Sequence, residues 1–162
     1  MFACLLVLTL APALDAPAQY RSPRHTATPR LTESCRLTTR GLDFGSYEDG
    51  SPAAVLTTAT MDLACRGLGS AGTHAIVTAG PSSVTSVYQD RRLANGQSYL
   101  QYQVYINSQR TIVWGDGTSD TQPVLVPLSS TNASFTVYGG IFQGQSGEVG
   151  RYSDTLLITV TP

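Results

Sequence analysis

The sequence predicts an all-β protein that folds as an antiparallel β-sandwich. Several segments alternate apolar and polar residues with the period of two that a half-buried strand requires. No stretch of ten residues shows the periodicity of an amphipathic helix. Clusters of Gly, Asn and Asp, which favour turns, separate the alternating segments. Together these observations indicate six or seven short strands, each with one buried face.

The alternation assigns an inward face to each predicted strand in chain order. Cys35 and Leu37 begin the pattern, and residues 74–79 form a shorter strand. The four longer strands turn these side chains inward: Val55, Thr57, Ala59, Met61, Leu63 and Cys65; Leu100, Tyr102, Val104 and Ile106; Phe135, Val137 and Ile141; and Tyr152, Leu156, Ile158 and Val160. The alternating neighbours are expected to face outward, among them Tyr99, Gln103, Tyr105 and Tyr138.

The last predicted strand, at residues 152–160, is strongly apolar on one side and rich in β-branched residues. Few residues follow it, so it either lies inside a sheet or leaves one edge open. An open apolar edge is a template for pairing with another chain. The sequence is compatible with both arrangements, a strand inside a sheet and a strand at an open edge.

Residues 1–18 are typical of a signal peptide. The apolar run at residues 4–13 is too short to span a bilayer, which takes about 20 residues, so no membrane-spanning segment is expected in the mature chain. Ala16-Pro17-Ala18 offers a cleavage site, with residues 11–13 as a rival. Because no Lys or Arg precedes the run, either the leader is atypical or the true start lies upstream.

The mature chain is predicted to begin with a polar, extended segment at residues 19–34, which contains Pro23 and Pro29. Removal of the leader leaves Cys35 and Cys65, an even pair in an oxidising compartment. A bridge between them would close a loop of about 30 residues and contribute roughly 3–4 kcal/mol. The alternative is two buried free thiols.

The number and spacing of the charged residues indicate whether the chain binds nucleic acid. The formal net charge is −1, with 10 basic and 11 acidic residues, and every basic residue is Arg. The only adjacent basic pair is Arg91-Arg92, so there is no basic stripe that would neutralise a row of phosphates. We therefore predict no nucleic-acid partner.

The sequence has no pattern that predicts catalysis, cofactor binding or a metal site. His25 lies in the polar segment and His74 opens a strand beside a Gly-rich loop, and neither has ligand-like neighbours at short spacing. Residues 67–72 match G-x-G-x-x-G, but no helical pattern follows them, which favours a hairpin loop over a dinucleotide site. We predict that the protein is not an enzyme.

Two single residues each have two interpretations. Asp154 shares a face with Tyr152 and Leu156, so it either contacts a ligand or partner, or bonds a nearby turn or Arg. Trp114 is either a platform for a sugar or a core residue. The structural interpretation is favoured for both residues.

Five pieces of the sequence resemble, in the same order, the spore coat protein U domain, a family shared with subunits of archaic chaperone–usher pili. They are CRL at 35–37 with LDFGSY at 42–47; MDLAC at 61–65; RL at 92–93 with Gly96 and LQYQVY at 100–105; WGDG at 114–117; and GRYSDTLLITV at 150–160. The resemblance extends over residues 35–162, which we expect to form one domain.

The resemblance implies an incomplete immunoglobulin-like antiparallel β-sandwich that lacks its last strand. A periplasmic chaperone lends that strand, and after transfer through an outer-membrane usher the N-terminal extension of another pilus or coat subunit replaces it. The protein would then be secreted, pass through the periplasm and act in adhesion or biofilm at the cell surface. Cys35 and Cys65 stand where the family has its disulfide, and Tyr152, Leu156, Ile158 and Val160 would line the partner-strand groove.

Residues 19–34, the candidate donor strand, depart from the alternation that a donor strand requires. Only Tyr20, Ala27 and Leu31 are apolar candidates, and two prolines remove backbone donors. A minor, terminal or coat-type position in the assembly therefore stays open. The alternative function is a tip adhesin-like ligand-binding module, which the one-domain length disfavours.

Overall fold

The computed structural model describes residues 34–66, 74–128 and 132–161, and these ranges contain β-strands and no helix. Ten strands are present: β1 (Ser34–Thr39), β2 (Val55–Arg66), β3 (His74–Ala79), β4 (Arg91–Asn95), β5 (Ser98–Tyr105), β6 (Val113–Trp114), β7 (Thr121–Gln122), β8 (Val124–Pro127), β9 (Asn132–Ile141) and β10 (Ile158–Thr161). The expected six or seven strands were too few. The additional strands have two to five residues, too few for alternation to stand out from the sequence.

The strands form two sheets that share one core. The large sheet has seven strands in the order β1-β2-β9-β5-β6-β7, with β4 also paired to β5. The small sheet has three strands in the order β10-β3-β8. All pairs are antiparallel except β6 with β7. Val104 and Val137 of the large sheet and Val77 of the small sheet are fully buried in the common core.

The predicted inward faces are confirmed in every long strand. Along β2 the alternating residues from Val55 to Cys65 are buried or half-buried, and their neighbours are exposed. The prediction for Gln103 was wrong, because this residue, expected to face outward, is only 3% exposed. Its side chain accepts a hydrogen bond from Arg91 and donates one to the carbonyl of Tyr88, so these partners compensate for its burial.

A disulfide joins Cys35 and Cys65, which confirms the predicted bridge and excludes the two free thiols. The two residues lie directly opposite each other in β1 and β2. Strand β1 pairs with no other strand in the described ranges, so the bridge fastens an outer strand of the large sheet to its neighbour.

The final predicted strand has the expected alternation but not the expected length. Residues 152–160 alternate between half-buried and exposed, yet regular pairing covers only β10. Strand β10 pairs with β3 alone among the described residues and is an edge of the small sheet. Of the two arrangements that the sequence left open, the structure shows the open edge.

Replacing the bridge by serines, as Cys35→Ser with Cys65→Ser, is expected to lower the free energy of unfolding by about 3 kcal/mol, because the unfolded chain loses a constraint. Urea denaturation of the purified chain measures this change. The control is Arg36→Ser with Ala64→Ser, the next pair along the same two strands, whose side chains are exposed. Equal midpoints for the two double variants would contradict the prediction.

Candidate partner-strand groove

Among the described residues, the backbone of residues 153–161 is hydrogen-bonded on one side only. The amide of Gly80 donates to the carbonyl of Leu157 at 2.7 Å, and Ser153 exchanges two hydrogen bonds with Ala94. In an antiparallel ladder, residues alternate between those that bond the partner strand and those that face away. It follows that Ile158 and Val160 direct their N–H and C=O groups away from β3, toward the open edge.

The same residues turn their side chains toward the core. Leu156, Ile158 and Val160 are half-buried and pack against the core, as does Tyr152. All four residues of the predicted groove therefore lie along one line. At β10 an unpaired backbone edge and a row of inward apolar side chains coincide.

A cleft of about 880 Å³ lies beside this line, between residues 40–49 and residues 147–154. Leu93, Leu100 and Ile141 contribute to its lining. Of the predicted groove residues, Tyr152 lines the cleft and the other three lie further along the chain. There β1 and β10 approach within 8 Å between Cα atoms.

Hydrogen bonds join the two sides of the cleft at one end. The hydroxyl of Tyr47 accepts from the amide of Gln145 at 2.9 Å, and a carboxylate oxygen of Asp49 accepts from the amide of Gly147 at 3.0 Å. The hydroxyl of Tyr152 donates to the carbonyl of Glu148 at 2.7 Å. Residues 47–49 and 145–152 therefore form a connected rim.

Asp154 is a structural anchor of the segment that leads into β10. One of its oxygens accepts from the amide of Ser83 at 3.0 Å and from the Ser83 hydroxyl at 2.5 Å, and the other accepts from the Tyr102 hydroxyl at 2.8 Å. Burial, followed by this hydrogen bond, raises the pKa of Tyr102, so its hydroxyl stays protonated and donates. The interpretation of Asp154 as a residue that bonds a nearby turn is confirmed.

Arg91 is a structural residue that the sequence analysis missed. Its guanidinium is fully buried and donates to the side-chain oxygen of Gln103 at 2.7 Å, the carbonyl of Gly80 at 2.9 Å and the carbonyl of Trp114 at 2.8 Å. Burial lowers the pKa of Arg91, yet a guanidinium stays charged in proteins. The signal was present in the alternation, because Arg91 shares the inward face of β4 with Leu93.

The aromatic residues divide into core and surface. Trp114 is only 1% exposed and donates from Nε1 to the carbonyl of Val77 at 3.0 Å, so it is a core residue and not a sugar platform. Tyr99 is exposed, as predicted, whereas Tyr105 and Tyr138 are half-buried. The guanidinium of Arg110 lies 5.6 Å from the ring centre of Tyr138 and covers part of it.

The remaining sequence candidates do not form a site in the described ranges. His74 is exposed at the start of β3, and nowhere in those ranges do three or more His, Cys, Asp or Glu side chains come together as metal ligands would. His25 and residues 67–72 lie outside the described residues, as do residues 1–18 and all of the extension except Ser34, which begins β1. The part of the chain that is described contains no helix suited to crossing a membrane.

Comparisons with known proteins agree with this architecture. The family model of the Spore Coat Protein U domain matches residues 24–159. Protein U of Myxococcus xanthus is 30% identical over 138 residues, which cover 74% of this chain and 70% of the relative.

A solved structure has a similar fold at low sequence identity. It is the crystal structure of the CsuC–CsuE chaperone–tip adhesion subunit pre-assembly complex from the archaic chaperone–usher Csu pili of Acinetobacter baumannii. The similarity has a TM-score of 0.55 at 18% identity and covers 80% of this chain. This chain spans 39% of the chain that it matches.

Replacing the anchor, as Asp154→Ala, is expected to lower the free energy of unfolding by about 2 kcal/mol, because the donors of Ser83 and Tyr102 lose their acceptor. Urea denaturation measures the loss. The control is Asp62→Ala, which removes an exposed carboxylate that accepts from the Ser134 hydroxyl at 2.7 Å. The control is expected to cost less than about 1 kcal/mol, and equal costs would contradict the role of Asp154 as an anchor.

Proposed function

Because the chain belongs to the spore coat protein U domain family, we propose that it is a non-enzymatic structural subunit of a surface pilus or secreted coat, assembled by the chaperone–usher route. The observation that carries the proposal is the unpaired edge of β10. A strand from another chain would complete the small sheet there, by donor-strand complementation.

Two contributions to the free energy favour the addition of a strand at β10: new backbone hydrogen bonds and the burial of apolar surface. The N–H and C=O groups of Ile158 and Val160 face the open edge and would enter a new ladder. The half-buried side chains of Leu156, Ile158 and Val160 would lose their remaining exposure, which contributes roughly 25 cal/mol for each Å² of apolar surface removed from water.

The other edge of the small sheet is a poorer template. Ile76 pairs with Thr161 on one side and with Leu125 on the other. The backbone N–H and C=O groups of Ile76 are directed to β10, so those of its other partner, Leu125, point away from β3. The backbone groups at positions 123 and 127, two residues to either side, point the same way. Both of these positions are Pro, which has no N–H to donate. The small sheet therefore favours addition at β10 over addition at β8.

The solved structure with the similar fold supports the choice of partners, since it is a chaperone–subunit complex. The partners we propose for this chain are a periplasmic chaperone, an outer-membrane usher and other pilus or coat subunits. Residues 1–18 would direct export, and residues 35–162 would form the sandwich. Residues 19–34 would be the strand that this subunit donates to a neighbouring subunit. The protein would pass through the periplasm to the cell surface.

The edge of β10 can be blocked by one substitution, Val160→Pro. It removes a donor at the open edge and leaves Thr159 and Thr161 to bond β3, so the domain is expected to fold. Coexpression with a periplasmic chaperone of the chaperone–usher class from the same organism, followed by copurification, is expected to recover at least about tenfold less complex than for the wild type.

The matched control for this experiment is Leu125→Pro, which removes the corresponding donor at the outer edge of β8. It is expected to copurify with the chaperone as the wild type does. Circular dichroism confirms that both variants are folded. A wild-type chain that stays monomeric beside its chaperone, or equal losses from the two proline variants, would refute strand addition at β10.

A further inference from the structure

Residues 41–47, here called the strap, follow β1, and residues 42–47 line the cleft. Leu42 and Phe44 are half-buried, while Gly41, Asp43 and Gly45 are exposed, so the strap alternates as a strand does. It belongs to no strand, however, and within the described ranges its backbone makes no hydrogen bond to another backbone group. The strap thus has the side-chain pattern of a strand without the ladder.

The two inward side chains of the strap rest on a bare stretch of β9. A Cβ atom at Gly139 would lie 3.0 Å from two ring atoms of Phe44 and 3.2 Å from Cδ1 of Leu42. The ring of Phe44 also meets the ring of Tyr102 edge-on, with centroids 5.8 Å apart. The lack of a side chain at Gly139 therefore creates a seat for the strap.

Few polar contacts hold the strap in this seat. The hydroxyl of Thr57 donates to the carbonyl of Asp43 at 2.7 Å, and Tyr47 is bonded at the far end. Gly41 and Gly45 have φ angles of +76° and +66°, and a side chain at either position would meet open space. Glycine adopts other backbone conformations at little cost, so the chain can change direction at both positions.

We propose that the strap is a releasable filling of the partner-strand groove. In the subunit without a partner, Leu42 and Phe44 cover the Gly139 seat and shield the core from water. The incoming strand of the chaperone, with apolar side chains two residues apart like Leu42 and Phe44, takes over the seat and releases the strap. This inference rests on the proposed function and adds to it the step that opens the groove.

A fluorine label on the Phe44 ring tests the seat directly. In the full chain with 4-fluorophenylalanine at position 44, the ¹⁹F NMR signal of the wild type is expected at a buried position. Gly139→Ala forces the ring off the seat, so the solvent-like signal is expected to rise about tenfold. Gly140→Ala is the matched control on the opposite face of β9, where the new methyl group meets only the exposed side chain of Leu56, and it is expected to leave the signal unchanged.

The same label then tests release in the copurified chaperone complex. The signal of Phe44 is expected to move to the solvent-like position when the partner strand is bound. Identical spectra for the two alanine variants, or a buried signal that persists in the complex, would overturn the strap proposal. A chain that forms no complex at all would refute the proposed function instead, and the alanine comparison would still decide whether the strap occupies the seat.

Discussion

The small sheet of this domain ends at β10 with its backbone unpaired and its side chains turned inward. Backbone N–H and C=O groups beside an apolar core need partners, and at β10 the part of the chain that the structure describes supplies them on the β3 side alone. Unpaired backbone groups together with inward apolar side chains distinguish an edge that can bind a further strand from an edge that is only exposed to solvent. Strand β1 approaches β10 within 8 Å between Cα atoms, and the cleft, with the strap in its lining, lies beside the segment that leads into β10.

The strands and segments around the groove are held by more hydrogen bonds and covalent bonds than the strap is. Arg91 joins β5, β6 and the end of β3 through three hydrogen bonds, and Asp154 joins the segment before β10 to Ser83 and Tyr102. The disulfide fixes β1 on the opposite side. By contrast, the strap is held mainly by apolar contact with Gly139 and Tyr102. This contrast is what the release of the strap that we propose requires.

The positions of proline explain why the two edges of the small sheet differ as templates for strand pairing. Pro123 and Pro127 occupy positions of the small sheet whose N–H groups would otherwise face outward, whereas Ile158 and Val160 keep theirs. One small sheet thus has one edge that lacks two outward N–H donors and one edge that keeps them. This asymmetry makes β10 the better template of the two, and it is the edge used in the strand addition that we propose.

Properties that depend on neighbours along the chain could be predicted from the order of the residues. Alternation located the inward faces of β2, β5, β9 and the final segment, and the even pair of cysteines indicated the disulfide. The order of the five motifs identified the family over nearly the whole domain. The folded arrangement was needed to establish that β10 is an edge, that Arg91 and Gln103 are buried together, and that Phe44 rests on Gly139. These features depend on which distant strands pair and in what register, and local periodicity contains no information about either.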